Sequence, residues 1–326
     1  MIKIEENIIL AGFTNYKIGG PARYFFQAKS VQELKEAIRW AKSKKQKIFI
    51  LGGGTNLLFS DDGFKGLVLK PDINFLEAKG EKIKAGAGVQ MADLVKLTIK
   101  NKLSGLEWAG GLPGTLGGAI RGNAGAFRGE TKDNIESVKS LNVKTLKAST
   151  YKNKNCEFDY RNSFFKKHDG REIVLSATLK LKKGDLKQIK IAVQDKIDFR
   201  NTRHPLKYPN SGSVFKNVRI TQKIADLIVA DSRGNSQRES ALGLRWSAVP
   251  IKTDPFPVIP TAYLISEANL KGVSRGGAMI SPKHPNFIVN VNNAKAKDVL
   301  ALIKLVKSTI KQKFGITIEE EVQILS

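Results

Sequence analysis

Apolar residues at Val31, Leu34, Ala37, Ile38 and Ala41 recur at the spacing of one helical face, and Ser30 with Glu33 forms a capping-box signature ahead of them. KIFIL (47–51) and GLVLK (66–70) are short apolar runs that predict buried strands around a glycine-rich turn. Met91, Leu94 and Val95 begin a second amphipathic helix, and a glycine-dense stretch follows from 105 to 129. The segment 135–182 is strand-rich (IESVKSLNV, REIVLSATLKL) and has no long crossover helices, which predicts antiparallel sheet. Helical periodicity returns over 187–199, and 200–212 (RNTRHPLKYPNSG) reads as an irregular connector. Segment 218–260 joins a predicted helix (220–230), a polar Ser/Arg/Gly patch and a Pro-rich run. A last helix over 296–314 carries Val299, Leu302, Ile303, Val306 and Ile310 on one face, with Gly315 where a C′ glycine belongs. The fold class is α+β rather than doubly wound.

Composition narrows the functional class. The chain has 326 residues, 41% of them hydrophobic, enough for two or three domains with packed cores. Its 55 Lys+Arg against 30 Asp+Glu give a formal net charge of +25. Of the basic residues 13 are Arg and 42 are Lys, dispersed from Lys3 to Lys313 with only short clusters such as KSKKQK (42–47). Readers of nucleic acid favour the bidentate fork of arginine and gather charge on one face or tail, so this pattern fits a solvated surface better than a binding footprint. The charge still attracts anionic small molecules. The single cysteine, Cys156, excludes a disulfide framework and a thiolate zinc cluster, and His168, His204 and His284 stand in no ligand spacing. The N-terminus, MIKIEENIIL, is unlike a secretory signal, and no apolar run approaches the roughly 20 residues that span a bilayer. The expectation is a cytoplasmic protein, taken as a monomer, with no metal, no nucleic-acid partner and no membrane insertion.

Two glycine-rich loops carry the strongest chemical signal. LGGGTNLLFSDDGF (51–64) follows a predicted strand directly. Successive glycines let the backbone approach a ligand closely and point N–H groups at anionic oxygens, and Thr55 and Asn56 add side-chain donors. The pattern matches neither the dinucleotide fingerprint G-x-G-x-x-G nor the P-loop. The second loop, WAGGLPGTLGGAIRGNAGAFRGE (108–130), holds eight glycines in 23 residues, with Pro113 fixing one bend. A lone GGG joins strands in many ordinary domains; two such loops within 80 residues are better explained by a ligand. The candidate cofactor-binding residues are therefore Gly52, Gly53, Gly54, Thr55 and Asn56, then Gly111, Pro113, Gly114, Thr115, Gly117, Gly118, Asn123 and Gly125. The ligand they imply is a large phosphate-bearing cofactor of open identity.

Three further segments hold reactive groups. DYRNSFF (159–165) sets the Arg161 guanidinium among aromatics, and NSGSVFKN (210–217) exposes Ser213 near Lys216 and Asn217. ITIEEEVQIL (316–325) places three acids at the head of a C-terminal strand, Glu319 and Glu321 on one face and Glu320 on the other. Each has a plain structural alternative: a stacked surface arginine, a serine-rich turn, a solvated strand mouth. No Ser–His–Asp arrangement is present, because His168 and His204 neighbour basic residues and His284 lies in an SPKHPN turn.

In chain order, NYKIGGPA (15–22), LGGGTNLL (51–58), GAGV (86–89), GLPGTLGGAIRGNAGAF (111–127), YRNSFF (160–165), GSVFKN (212–217), LKGVSRGGAMIS (270–281) and FGITIEEEV (314–322) together resemble the UDP-N-acetylmuramate dehydrogenase (MurB) family of peptidoglycan synthesis. The resemblance spans nearly the whole chain apart from 218–260. It implies a vanillyl-alcohol-oxidase/p-cresol-methylhydroxylase-type FAD-binding fold, with two α+β subdomains (1–70 and 71–200) and a smaller α+β substrate-binding domain (201–326). It also implies an oxidoreductase with non-covalent FAD that NADPH reduces. Such an enzyme turns UDP-N-acetylglucosamine enolpyruvate into UDP-N-acetylmuramate, by hydride transfer from flavin N5 to C3 and protonation at C2. The family's proton-donor serine maps onto Ser213, its catalytic arginine onto Arg161 and its catalytic glutamate onto Glu321. Arg203, Lys216 and Asn217 match substrate- or nucleotide-holding positions. Arg203 replaces a more usual lysine, and Lys17 stands where an arginine is common.

Two departures stand out. Relatives with a longer mid-chain loop carry a substrate-covering tyrosine there, whereas this chain passes from YRNSFF to what reads as a short hairpin. Relatives without that tyrosine pass quickly from FKN to the next helix, whereas this chain inserts 218–260, expected to form a flap that includes Trp246, or else a plain surface insertion. Two other readings stay open at this point. One is a flavin oxidoreductase of the same fold acting on another substrate; the other is a basic nucleic-acid-binding protein, which explains the charge but not the ordered motifs.

Overall fold

In the computed structural model, which describes residues 2–222, 224–225, 249–253 and 256–325, helix α1 (Val31–Ser43) starts where its cap signature lies. The Ser30 hydroxyl accepts the Glu33 amide at 3.1 Å, and the Glu33 carboxylate reaches back to the Lys29 amide at 2.6 Å, one residue beyond a regular capping box. Leu34, Ala37, Ile38 and Ala41 are fully buried on one face. The chain divides into two units. The first comprises Met1–Phe13, Gly20–Thr55 and Asp62–Thr202; the second comprises Thr14–Gly19, Asn56–Asp61 and Arg203–Ser326.

In the first unit, α1 carries the chain from β2 (Pro21–Ala28) to β3 (Ile48–Ile50). With β1 (Glu5–Ile9) and β5 (Phe64–Pro71) these build a four-stranded sheet in the order β1-β2-β5-β3, parallel except for β1. Short β4 (Leu57–Phe59), which the patterning missed, belongs to the second unit. A five-stranded antiparallel sheet follows in the order β12 (Ala148–Lys152), β11 (Ile135–Asn142), β13 (Glu172–Lys180), β7 (Lys82–Gly86) and β6 (Leu76–Lys79), as the alternation over 135–182 predicts.

The centre of that sheet serves two cores. Lys139 lies opposite Ser176 but Ser140 opposite Val174, so β13 carries one extra residue, a bulge that inverts the alternation. Ile173 and Leu175 accordingly pack with α1, Leu67 and Leu69, whereas Ala177 and Leu179 pack with α2 (Met91–Lys100), α3 (Leu116–Gly122) and α5 (Leu186–Arg203). Small pairs complete the unit: β8 (Leu103–Ser104) with β14 (Lys182–Lys183), and the hairpin β9 (Gly125–Ala126) to β10 (Gly129–Glu130).

Three sequence expectations are corrected here. The segment 108–130 is not one loop, since Thr115 caps α3 within it. Helix α5 runs through Arg203 into the predicted connector, because Val193 and Arg200 extend its buried side. YRNSFF leads not into a hairpin but into the single helical turn α4 (Phe164–Lys167), capped by the Ser163 hydroxyl.

The second unit packs α6 (Thr261–Glu267) and α7 (Ala296–Phe314) against a sheet of β17 (Ser274–Arg275), β18 (Ala278–Ile280) and β19 (Ile288–Asn290). All five predicted core positions of α7 are buried, and Gly315 closes it in a left-handed conformation at φ 68°. The Asp61 carboxylate accepts the Ala296 and Lys297 amides at 2.7 and 3.1 Å, an anion at the positive end of that helix. The predicted C-terminal strand is interrupted: β20 (Gln323–Leu325) pairs in parallel with β4, and the acids precede it. β15 (Val218–Arg219) and β16 (Val258–Ile259) join the two ends of 218–260, and Arg219 lies 4.1 Å over the Phe256 ring. The helix predicted over 220–230 is described only to Ala225, and Trp246 lies outside the described residues. Among the described residues no helix is long and apolar enough to cross a membrane, and no cluster suits a metal ion.

Candidate active site

The two glycine loops of the first unit meet backbone to backbone. A Cβ on Gly53 would fall 2.7 Å from the Gly114 Cα and 3.1 Å from the Thr115 nitrogen. One on Gly52 would fall 3.3 Å from the Thr115 hydroxyl, and one on Gly114 3.0 Å from that of Thr55. Gly54, Gly111 and Gly114 adopt positive φ (67°, 71° and 104°), which side-chain-bearing residues rarely do. Pro113 sits between the last two. The GAGV segment forms the seam behind them, with the Leu116 and Gly117 amides donating to the Val89 and Ala87 carbonyls at 2.8 and 2.9 Å. Gly118 differs, since a Cβ there would touch only the Thr115 hydroxyl, at 3.6 Å.

Asn123, a predicted cofactor ligand, is wholly buried and turned inward. Its Nδ2 donates to Glu130 at 3.1 Å and to the Asp159 carbonyl at 3.0 Å, and its Oδ1 accepts the Lys132 amide at 3.1 Å. It ties the end of α3 to the β9–β10 hairpin and to the Arg161 turn. In the hairpin, Phe127 and Arg128 both take left-handed conformations (φ 51° and 67°), the signature of a type I′ turn. Arg161 is also left-handed, at φ 53°, in a tight turn closed by reciprocal Asp159–Asn162 backbone bonds of 3.0 Å. Its Nη2 donates to the Gly125 carbonyl at 2.9 Å, and its guanidinium lies 5.2 Å from the Tyr160 ring. Three non-glycine residues held in this region store strain, a pattern concentrated at functional sites.

In the second unit Ser213 and Glu321 come together. Glu321 and Val322 both donate their amides to the Val214 carbonyl, at 2.7 and 3.2 Å, the two-against-one pattern of a β-bulge. Phe215 bridges Glu320, and the Lys216 amide donates to the Glu319 carbonyl. The half-buried Ser213 therefore lies one residue from the strand position that holds Glu321. Asn286 clamps the same strand, accepting the Phe215 amide at 3.0 Å and donating to its carbonyl at 2.8 Å. Within the second unit, the Asn56 side chain donates to the Glu321 carbonyl at 3.0 Å.

The three acids have separate surroundings. Glu319 accepts from Lys216 at 2.9 Å, and that hydrogen bond, with the lysine's charge, holds its carboxyl below the ordinary range. Glu320 accepts from Lys307 at 2.7 Å. Glu321 is pinned through both its amide and its carbonyl. Of the predicted substrate residues, Arg203 is exposed at the end of α5, and the Asn217 Oδ1 accepts the Thr261 amide at 3.3 Å.

Cys156, His204 and His284 lie outside this arrangement and pack into the fold. Burial pushes the Cys156 thiol up to about 11, far from a reactive thiolate. His204 and His284 stack with Phe287, and burial lowers the pKa of His284. Sequence reasoning missed Asn286 and Arg200. The first has no signal beyond a polar residue in a proline turn; the second sits on a helical face that apolar periodicity does not mark. Arg200 is 9% exposed, and its Nη2 has no hydrogen-bond partner among the described residues. A backbone cradle with a buried guanidinium beside it fits a large anionic nucleotide cofactor.

Comparison with known proteins agrees with this geometry. Residues 22–145 match a family described as an FAD binding domain, and residues 204–325 match the C-terminal domain of UDP-N-acetylenolpyruvoylglucosamine reductase. The reductases of Clostridium novyi and Treponema denticola are 34% and 35% identical to this chain, over 99% and 96% of it and 92% and 90% of their own lengths. The crystal structure of the Thermus caldophilus reductase (MurB) superposes with a TM-score of 0.76 at 28% identity, each chain covered completely. With a glycine cradle in its FAD-binding part and a serine–glutamate strand pair in its C-terminal part, the chain belongs to the UDP-N-acetylenolpyruvoylglucosamine reductase family.

Proposed function

We propose that this chain reduces UDP-N-acetylglucosamine enolpyruvate to UDP-N-acetylmuramate with NADPH as reductant, as a cytoplasmic monomer. The observation that carries the reading is the shared Val214 carbonyl, which binds the amides of Glu321 and Val322 next to Ser213. The glycine loops around Gly53 and Gly114 would hold FAD, which when bound would supply the hydride that C3 of the enolpyruvyl ether takes up. Ser213 gives its hydroxyl proton to C2. A serine hydroxyl is a weak acid, suited to this step because the developing carbanion is strongly basic, and general-acid catalysis of this kind contributes roughly 10²–10⁴-fold. Arg161 stabilises the negative charge that builds on the carboxylate-bearing enol. Glu321 shares a proton with that carboxylate and polarises it. Arg203, Lys216 and Asn217 hold phosphates of the substrate or of the nicotinamide nucleotide, and Lys216 exchanges Glu319 for a phosphate as it does so. Residues 1–70 and 71–200 serve as the two FAD-binding subdomains and 201–326 as the substrate-binding domain.

The test is an anaerobic visible spectrum of the purified protein. A yellow flavin spectrum that bleaches with NADPH and recovers with UDP-N-acetylglucosamine enolpyruvate supports the reading. Bleaching without recovery discards the substrate, and a colourless protein that takes up no added FAD discards the cofactor.

A further inference from the structure

Arg200 lies in the last turn of α5, where burial works against its charge. It is 9% exposed, and desolvation lowers its pKa, yet it forms no salt bridge among the described residues. Its Nε donates to the Gly110 carbonyl at 2.9 Å, and its guanidinium lies 5.1 Å over the Phe127 ring. Its Nη2 has no partner among the described residues. Gly111 leaves room for it, since a Cβ there would come within 3.1 Å of the Arg200 Cδ. A planar fork stacked on an aromatic face and fixed at one nitrogen is preorganised, and its second nitrogen carries an unmet donor. A buried, unpaired donor on a cation is expensive and persists where something else meets it. Both supports of this guanidinium, Gly110 and the left-handed tip of the β9–β10 hairpin, belong to the glycine segment 108–130.

We propose that Arg200 is an anion-binding residue of the cofactor site, its Nη2 donating to a negatively charged group of the flavin nucleotide. This rests on the FAD reading above. The anion is either the pyrophosphate, charged in both redox states, or the N1–C2=O edge of the ring, charged on reduction.

Arg200→Met keeps the length of the side chain and removes the charge. In the FAD-free protein it should raise Tm, because the unmet donor is gone; the gain in Tm on adding oxidised FAD should shrink if the pyrophosphate is the partner. A purely packing role for Arg200 predicts a lower FAD-free Tm, with the gain, the affinity and the midpoint potential all unchanged. Titration of FAD into the full-length protein, followed by flavin fluorescence, should show affinity weakened about tenfold or more if the pyrophosphate is the partner. An unchanged affinity for oxidised FAD with a more negative midpoint potential would assign the ring edge instead, and still support the proposal. Arg200→Lys should recover part of the lost quantity in either case, since charge returns without the fork. Unchanged affinity, potential and Tm gain in Arg200→Met would overturn the proposal. Failure of the wild-type protein to bind FAD would overturn the cofactor reading itself, which separates the two failures.

Discussion

The cradle of the first unit and the strand pair of the second present chemistry in opposite ways. Around Gly53 and Gly114 the site is made by leaving side chains out, so that two backbones touch. Around Ser213 and Glu321 it is made by aiming side chains, with a bulge, the Asn286 clamp and the Asn56 bond setting the strand that carries them. A substitution in the first region therefore acts by intrusion, and in the second by removal. The cradle should fail through cofactor retention and stability, the strand pair through a single chemical step.

The contrast breaks most sharply at Ser213. Ser213→Ala should leave flavin reduction by NADPH intact and slow reoxidation by the enolpyruvyl substrate by roughly 10²–10⁴-fold, read by anaerobic stopped flow. Ordinary turnover in that variant would remove the proton-donor assignment. In the cradle, Gly53→Ala forces its new Cβ to 2.7 Å from the Gly114 Cα, a backbone atom that cannot swing away. A loss of about 1–3 kcal/mol in urea unfolding is expected, together with loss of FAD on gel filtration. Wild-type stability and a retained yellow colour would show that the loops do not meet as closely as the geometry says.

Gly118→Ala sharpens the comparison, because its Cβ would meet only the Thr115 hydroxyl at 3.6 Å. Without FAD the variant should be as stable as the parent or better, by up to about 0.5–1 kcal/mol. With FAD the affinity should fall, since only the ligand needs that space. Equal affinity would remove Gly118 from the cofactor-binding residues. The smallest effect belongs to Glu319, which is largely exposed beside Lys216. The folded carboxyl titrates below its unfolded value of about 4.3, so the pair contributes above that pH and is lost as pH falls through the folded value. Glu319→Gln should lower stability at neutral pH by about 0.2–1 kcal/mol at most, less in high salt. The difference from the parent should vanish at low pH; one that grows with acidity would contradict the pairing.

Much of this was legible along the chain. The α7 face, its closing Gly315 and the Ser30 cap depend on residues three or four apart, and such signals survive without tertiary context. The antiparallel sheet over 135–182 was legible from the alternation of its strands and the lack of long crossover helices between them. Asn123 shows where legibility stops, since an asparagine in a glycine-rich segment reads as a ligand yet all three of its side-chain hydrogen bonds turn inward. Residues 108–130 read as one loop because their glycines mask the helical turn that Thr115 caps.

The sequence by itself determined the longer amphipathic helices, the chemical types in each motif and the order of those motifs, all of which follow from local spacing and side-chain chemistry. Tertiary structure decided what depends on pairing between distant segments. The extra residue in β13 turns one strand toward two cores, and neither strand reveals it without its partner. The bulge that brings Glu321 beside Ser213 needs a carbonyl more than 100 residues earlier in the chain. The burial of Arg200 depends on a glycine segment some 90 residues before it. Periodicity reports which side of an element is apolar; only the packed chain determines what that side meets.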